Sequence, residues 1–464
     1  MTQAESASRH SSDMQYGSVH SEPLEPVSSA YQATGTIMSS VINLVNTIVG
    51  AGILAMPFAL RQNSLFLGVF LILMSGALSG FGLFLQGRCA FYAPARQASF
   101  FALASQTYPS LSVIFDIAIA VKCFGVGVSY LIIVGDLMPQ VVQSLFNPGD
   151  NTQFIVSREF WILASVAIVV PLSYLRKIDS LKYTSLVALI SVGYLIVLVV
   201  AYYLFSDISD TRAPISLFKP AKISNVLSCF PIIVFAFTCH QNMFSIVNEL
   251  QHRTAANINR VVATSISFSA FCYILVGVTG YLSFGNIVSG NIVSMYPSSF
   301  VTEIARFCIA FMVVLSYPLQ CHPCRASLDH TYSWFQSSGF VKSLRHKVSW
   351  SRLPSSEEEM VHPSSGGQPG SMSTARFGIV TTIIVVASYI TALSVESLEL
   401  MLAFVGSTGS TSISFILPGL FAYKLIGADS SNSEDWLKWS GLALCLYGVV
   451  VMIVSLAINI YLLF

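Results

Sequence analysis

Eleven runs of apolar residues constrain this chain more than any other feature of its sequence. Each run is near the ~20 residues that an α-helix needs to cross a bilayer. Hydrophobic residues make up 54% of the chain and charged residues only 10%, a balance outside that of soluble domains. The sequence therefore predicts an all-α membrane protein in the lipid bilayer. Its predicted spans are 37–60, 65–87, 113–139, 159–175, 181–205, 226–249, 261–284, 300–322, 376–394, 398–424 and 439–463.

Two polar segments lie outside these runs. Residues 1–35 are rich in Ser, Gln, Pro and Glu, which predicts a disordered cytosolic tail. Residues 36–464 form the membrane domain, and its longest connection, 325–375, contains the runs Pro354–Glu359 and Ser364–Gly370. Such a composition predicts a flexible loop, suited to modification rather than to chemistry.

The composition and the motifs exclude several classes of function. A net charge of +1 without a basic patch gives no reason to expect nucleic acid as a partner. The chain has no nucleotide-binding loop, zinc-protease motif or nucleophile elbow, so we predict that it is not an enzyme and needs no cofactor or metal.

The distribution of Lys and Arg orients the chain in the membrane. If the N-terminus is cytosolic, sixteen of the 23 basic residues fall in cytosolic segments and six on the other side, while Lys122 lies inside a span. Cytosolic loops carry the excess of positive charge in membrane proteins. The sequence thus predicts a cytosolic N-terminus and a C-terminus on the opposite side.

The first span is interrupted by residues that a simple anchor does not need. Asn43-Leu-Val-Asn46-Thr-Ile-Val-Gly50-Ala-Gly52-Ile-Leu-Ala-Met-Pro57 places two asparagines, a Gly-x-Gly and a proline within an apolar run. A helix broken at this depth exposes N–H and C=O groups, which attract carboxylates and cations respectively. The alternative is a kinked helix whose glycines allow close packing.

The sixth span is interrupted in a similar way. Phe230-Pro231-Ile-Ile-Val-Phe235-Ala-Phe-Thr238-Cys-His240-Gln-Asn242 again mixes proline and polar groups into an apolar stretch. Because the two segments are five spans apart along the chain, an odd number, we expect them to cross the membrane in opposite directions. Paired interrupted spans in corresponding halves indicate a transporter site.

Three motifs now carry a resemblance to a known family. They are the Asn43 to Pro57 segment, Phe235-Ala-Phe-x-Cys-His240 followed by Glu249-Leu250, and Ser316-x-Pro318-Leu-x-x-x-Pro323-x-Arg325. Together they resemble the amino acid/auxin permease superfamily, and within it the fungal vacuolar amino acid transporters and the sodium-coupled neutral amino acid transporters. The resemblance implies a LeuT-type fold, with two inverted five-helix repeats and an eleventh helix.

The resemblance also implies a function. It is secondary active amino acid transport by alternating access, with protons driving export from the vacuole to the cytosol. The location would be the vacuolar membrane, with the C-terminus luminal. Two alternatives stay open, namely a receptor that senses amino acids and a sodium-coupled importer of the plasma membrane. Steady-state flux in vesicles would separate transport from sensing.

In such a site, the substrate carboxylate would lie on N–H groups of the first broken span and the ammonium on carbonyls of the sixth. Glycines admit the close backbone approach that this requires. The predicted substrate-binding residues are Asn43, Asn46, Thr47, Gly50, Ala51, Gly52, Phe235, Ala236, Phe237 and Thr238.

Ion coupling is predicted for three residues. Asn46 and Ser316 fall where the sodium-coupled relatives use an asparagine and a threonine for the ion, and Ser316 departs from that pattern. Serine keeps a hydroxyl and so does not exclude ion binding, but the resemblance to the fungal transporters implies protons rather than sodium. His240 is the predicted proton carrier because its ordinary pKa near 6.5 suits an acidic organelle; the alternative is a neutral histidine bonded to a free carbonyl.

Two charged residues are predicted to form a gate. Lys122 lies within the third span, where an ammonium group is usually paired or faces a cavity, although its chain could also reach the cytosolic surface. Glu249 ends the sixth span and is its predicted partner.

Overall fold

The computed structural model describes residues 35–146, 150–176, 182–206, 212–220, 222–337, 372–426 and 435–463. In this part the chain is helical, and its only β-type pairing is an isolated bridge between Gly35 and Leu250. The predicted tail, apart from Gly35, lies outside the described residues. The helices are α1 (Ile37–Ile48), α2 (Met56–Asn63), α3 (Leu65–Cys89), α4 (Phe100–Thr107), α5 (Ser112–Phe146), α6 (Arg158–Ala164), α7 (Val166–Ser173), α8 (Lys182–Phe205), α9 (Ile223–Ala236), α10 (His240–Glu249), α11 (Ala255–Phe284), α12 (Ile292–Met295), α13 (Phe300–Ser337), α14 (Thr374–Ser394), α15 (Leu398–Val405), α16 (Leu417–Leu425) and α17 (Asp435–Tyr461).

The spans confirm an all-α membrane protein. Among the described residues, nine helical segments are long and apolar enough to cross a membrane, and the bent pair formed by 37–48 and 51–63 makes ten. The exception is the predicted fourth span, which consists of α6 and α7 with a break at Ser165. Its sixteen residues, Arg158–Ser173, extend only about 24 Å at ~1.5 Å per residue, less than a bilayer core of ~30 Å.

The loop predicted at 325–375 begins later than expected. Helix α13 continues to Ser337 because its extension has partners. Arg325 is buried, donates to Ser173 O and Thr381 Oγ1, and stacks over Phe377. Asp329 pairs with Arg376. Residues 338–371 lie outside the described part of the chain.

The first and sixth spans are both broken, as predicted, and they run antiparallel. Helix α2 packs on α9, and α1 packs on α10, so each half of one span lies beside the opposite half of the other. Asn242 donates to Thr47 Oγ1 between α10 and α1, and Asn225 donates to Gln62 Oε1 between α9 and α2. This is the arrangement that two inverted repeats would give.

A third span is irregular although the sequence analysis did not single it out. Between α15 and α16, residues Gly406–Ser410 and Ser412–Ile416 adopt π-helical turns. A Cβ on Gly406 would collide with the Pro231 carbonyl, and one on Gly409 would lie 2.7 Å from Lys122 N. The small residues thus let this span approach both α9 and α5, and π-helical turns are frequent at functional sites.

Candidate substrate site

The first break is centred on Gly50. Helix α1 ends at Ile48, a 3-10 turn spans Ala51–Ala55, and α2 follows at an angle of 46° to the first half. Pro57 stands in the first turn of α2, where the lack of a backbone N–H costs nothing. The Gly50 N–H donates to Ile48 O at 2.8 Å. The N–H groups of Ala51 and Gly52 have no hydrogen-bond partner within the described chain, so they are free to bind an anion.

The second break lies at residues 237–239, between α9 and α10. Thr238 bonds backward twice, from its N–H to Phe235 O at 3.0 Å and from its hydroxyl to Val234 O at 2.8 Å. Its hydroxyl also lies 3.1 Å from Ser414 Oγ in the π-helical span. Side-chain bonds of this kind compete with helix continuation, which accounts for the break.

A single tyrosine ties the two breaks together. The Tyr273 hydroxyl, on α11, lies 2.6 Å from Ile48 O and 2.8 Å from Ala236 O. These carbonyls end the first halves of both broken spans. At the same junction, a Cβ on Gly52 would come within 2.8 Å of Ala236 Cβ. The two half-helix ends are therefore held in fixed contact.

The breaks border a small cavity between the two broken spans, α5 and α13. In this conformation it has room for little more than one water molecule, so the site is closed. Its lining residues are Thr47, Ile48, Gly50, Ala51, Gly52, Lys122, Val126, Tyr130, Phe235, Ala236, Thr238 and Gln320.

Lys122 contributes the cationic group of this cavity. Its side chain is only 3% exposed, and no hydrogen bond or ion pair to it occurs among the described residues. It does not extend to the cytosolic surface, the second possibility raised by the sequence. A buried ammonium without a partner is costly, which marks it as a candidate for binding a substrate carboxylate.

Not every predicted residue reaches the cavity. Asn43 is exposed, and Asn46 and Ser316 are half-buried outside the lining. Phe237 is fully buried but points the other way, packing edge-to-face on Tyr273 and against Gly76. Asn43, Asn46, Phe237 and Ser316 therefore do not line the site in this conformation.

His240 also lies behind the cavity rather than in it. It is fully buried at the start of α10, and a Cβ on Gly82 of α3 would come within 2.9 Å of its Nε2. Neither ring nitrogen has a hydrogen-bond partner within the described chain, whereas its carbonyl accepts from Gln86 Nε2 at 3.0 Å. The backbone of Ser79 on α3 lies beside the ring, so the bond to a carbonyl that the sequence suggested as an alternative role stays a prediction.

The predicted gate pair is not formed in this structure. Glu249 is exposed at the end of α10, where its carbonyl accepts from Gly35 N at 3.0 Å. The Lys122 side chain, by contrast, is buried in the cavity between the two helix breaks. Both residues were equally plausible gate residues because the order of residues along the chain does not reveal the depth at which each side chain ends.

Several site residues escaped the sequence analysis. Val126 and Tyr130 follow Lys122 on one face of α5 at helical spacing, and Gln320 faces them from α13. Val126 and Tyr130 could have been identified from the sequence by their spacing of four and eight residues from Lys122, which places all three on one face of a helix. In the tenth predicted span, the run Gly406-Ser-Thr-Gly409-Ser-Thr-Ser-Ile-Ser414 was an equally visible departure from an apolar helix.

Comparison with known proteins identifies relatives of this chain. Residues 33–461 match the family model described as transmembrane amino acid transporter protein. The chain is 41% identical to vacuolar amino acid transporter 6 of Saccharomyces cerevisiae over 442 residues, which cover 91% of this chain and 98% of that protein. It is 41% identical to vacuolar amino acid transporter 5 of Schizosaccharomyces pombe, covering 91% of this chain and 94% of that one.

The similarity extends to animal proteins. Sodium-coupled neutral amino acid transporter 7 of Danio rerio is 30% identical over 327 residues, 68% of this chain and 69% of that protein. The resemblance inferred from the motifs is thus confirmed, and the relatives are transporters rather than enzymes. Since the family model matches nearly the whole chain, the protein belongs to the transmembrane amino acid transporter family.

Proposed function

We propose that the protein carries amino acids from the vacuole lumen to the cytosol together with protons, by alternating access. The observation that carries this proposal is the pair of antiparallel broken spans, whose free N–H groups at Ala51 and Gly52 lie beside the carbonyl end at Ala236. An amino acid presents a carboxylate and an ammonium group to such ends. The vacuolar location rests on the relatives' names.

In this proposal the cavity binds the carboxylate and ammonium groups that amino acid substrates have in common. The carboxylate lies on the N–H groups of Ala51 and Gly52, with the Lys122 ammonium as a second source of positive charge. The ammonium approaches the carbonyl end of α9 at Phe235 and Ala236. The side chain of the substrate then points toward Val126 and Tyr130.

Protons are the proposed coupling ion because the two fungal relatives described above are named as vacuolar transporters and because Asn46 and Ser316 do not line the cavity. The proposed orientation places the N-terminus in the cytosol and the C-terminus in the lumen, following the Lys/Arg distribution.

The test is transport by the purified protein in liposomes. A panel of labelled amino acids is offered with and without an acidic compartment on the proposed luminal side, in sodium or in potassium buffer. We expect accumulation that needs the pH gradient and is unaffected by replacing sodium. Accumulation that stops on sodium removal at constant pH would refute proton coupling. Binding without flux for every amino acid of the panel would favour a receptor.

A further inference from the structure

We propose that a groove between α3 and α11 binds one anionic phospholipid of the bilayer leaflet on the N-terminal side, which is the proposed cytosolic side. The groove has a chain-binding part at membrane depth and a basic pocket at the helix ends. Within the described chain, neither part shares a lining residue with the substrate cavity, so this site goes beyond the proposed transport. Only the name of the leaflet depends on the proposed orientation.

The chain-binding part is a largely apolar cavity of about 280 Å³ on the surface of the α3–α11 pair. Ala263 in its wall is exposed, and so are the neighbouring Phe268 and Phe271 of α11, which places this surface against lipid. Gly80 keeps the groove open, because a Cβ there would meet only Ile266, at 3.7 Å. The walls include Gly76, Gly80 and Phe84 of α3 and Asn259, Ala263 and Ile266 of α11.

This part of the groove has nearly the depth of one leaflet. Gly76 lies at the second helix break, since a Cβ there would come within 3.1 Å of the Phe237 ring, and such breaks lie near the middle of the bilayer. Phe84 lies eight residues farther along α3, about 12 Å at ~1.5 Å per residue. Half of a hydrocarbon core of ~30 Å is about 15 Å. The groove therefore spans the depth of an acyl chain in this leaflet.

The basic pocket continues the groove by one helical turn on both walls. Arg88 follows Phe84 by four residues on α3, and Ala255 precedes Asn259 by four residues on α11. Residues at this spacing lie on the same face of a helix. The pocket is an open cavity of about 480 Å³ lined by Arg88, Phe91, Tyr92, Ala255 and Ile426.

This pocket lies at the membrane surface and is rich in positive charge. Phe91 and Tyr92 are exposed in the 3-10 turn that follows α3, as aromatic side chains are at a bilayer interface. Basic pockets between transmembrane helices bind anionic lipid headgroups. Segments 84–96, 248–260 and 420–426 contain Arg88, Arg96, Arg253, Arg260 and Lys424 against one acid, Glu249, and the first turn of α17 adds one charge of each sign, Asp435 and Lys438.

Arg253 is the best placed of these cations. Its guanidinium lies 5.0 Å from the centre of the Phe91 ring in the pocket wall, and its Nη2 donates to Ala90 O. Its Nε has no hydrogen-bond partner, and no carboxylate pairs with it within the described chain. A guanidinium held by a carbonyl and an aromatic ring keeps its charge uncompensated, and it has further donors for a phosphate group.

A lipid at this place would also stabilise the helices behind the substrate cavity. Gln86 Nε2 of α3 donates to His240 O at 3.0 Å, at the start of α10. Gly87 brings α3 close to α11, because a Cβ there would lie 2.7 Å from Ile258 Cγ2. A phospholipid that contacts the ends of α3 and α11 therefore holds together helices that position the second half of the sixth span.

The test measures lipid binding to the full chain, purified in a non-ionic detergent, by native mass spectrometry and by the melting temperature. The probes are phosphatidylserine and phosphatidylcholine with the same acyl chains, and glycerophosphoserine, which is the headgroup without chains. We expect one phosphatidylserine to bind at least about tenfold more tightly than phosphatidylcholine and to raise the melting temperature more. Glycerophosphoserine should bind far more weakly, because it cannot occupy the groove.

Variants test the two parts separately. Arg88→Gln and Arg253→Gln should each lower the affinity for phosphatidylserine about tenfold. Arg260→Gln is the matched control, since it removes the same charge from an exposed residue outside both cavities. Gly80→Leu fills the groove and should weaken the binding of both lipids. Its control is Gly193→Leu, at a glycine whose Cβ would meet nothing within 4 Å.

The outcomes are distinct from those of the transport assay, because binding is measured without flux. Equal affinity of the wild type for the two lipids, or an equal loss in Arg260→Gln and Arg253→Gln, would overturn the proposal. Wild-type binding by Gly80→Leu, or tight binding of glycerophosphoserine, would refute the groove. If Arg253→Gln fails to fold because it loses the bond to Ala90 O, Arg88→Lys decides: it should bind phosphatidylserine more tightly than Arg88→Gln, and equal affinities would refute the pocket.

Discussion

Replacing Gly50 by alanine tests the substrate site with little disturbance of the fold. A Cβ at Gly50 would meet only Tyr130 Oη, at 4.0 Å, so the methyl group points into the cavity. It would take the space in which a carboxylate approaches the N–H groups of Ala51 and Gly52. A hydrogen bond to a charged group contributes about 1.5–3 kcal/mol, so losing one lowers affinity about 10- to 150-fold.

Substitutions at two further glycines distinguish a loss of substrate binding from a loss of stability. A Cβ at Gly52 would lie 2.8 Å from Ala236 Cβ and 2.9 Å from Ala236 Cα, so Gly52→Ala should destabilise the protein by about 1–3 kcal/mol through overpacking. A Cβ at Gly193 on α8 would meet nothing within 4 Å, so Gly193→Ala is the control. The assay is concentration-dependent uptake into liposomes, with the melting temperature of each purified variant.

We expect Gly50→Ala to keep the wild-type melting temperature and to raise the half-saturating substrate concentration at least about tenfold. Gly52→Ala should lower the melting temperature, and Gly193→Ala should change neither quantity. A folded Gly50→Ala protein with wild-type apparent affinity would refute the placement of the carboxylate at this break.

Three other substitutions give independent checks. Tyr273→Phe removes the hydroxyl between Ile48 O and Ala236 O and should cost about 1–3 kcal/mol, seen as a lower melting temperature than that of Tyr203→Phe, a change at an exposed ring. Lys122→Met removes a buried, unpaired ammonium, so it should raise the melting temperature and abolish uptake; unchanged uptake would contradict a role in substrate binding. His240→Ala should lower the melting temperature and leave the pH profile of apparent affinity unaltered, because the ring lies behind the cavity; a flattened profile would restore it as the proton carrier.

The features that sequence predicts best here are those in which a residue type conflicts with its surroundings. Gly50, Gly52 and Pro57 in one apolar run, and Pro231 with Thr238 in another, cannot continue a plain helix in lipid. Both breaks and their opposite directions were therefore predictable. The fourth span was overestimated because an apolar run records composition and not the break at Ser165.

The direction of each side chain was much less predictable. In spans that are apolar all round, hydrophobic periodicity does not identify the face that meets the cavity. Asn43 was therefore predicted to bind substrate together with Thr47, although Asn43 is exposed. Phe237 was predicted to bind it together with Ala236, although Phe237 faces α3 and α11. The contact of Glu399 with Gly290 joins residues distant in sequence, and only the tertiary fold brings them together.

The most direct test of the proposed site is a structure of the purified protein bound to the amino acid that it transports. We expect the substrate between the two breaks, with its carboxylate on the N–H groups of Ala51 and Gly52 and its ammonium toward the carbonyl end of α9. An amino acid bound elsewhere, with the breaks still joined through Tyr273 and the cavity closed, would contradict it.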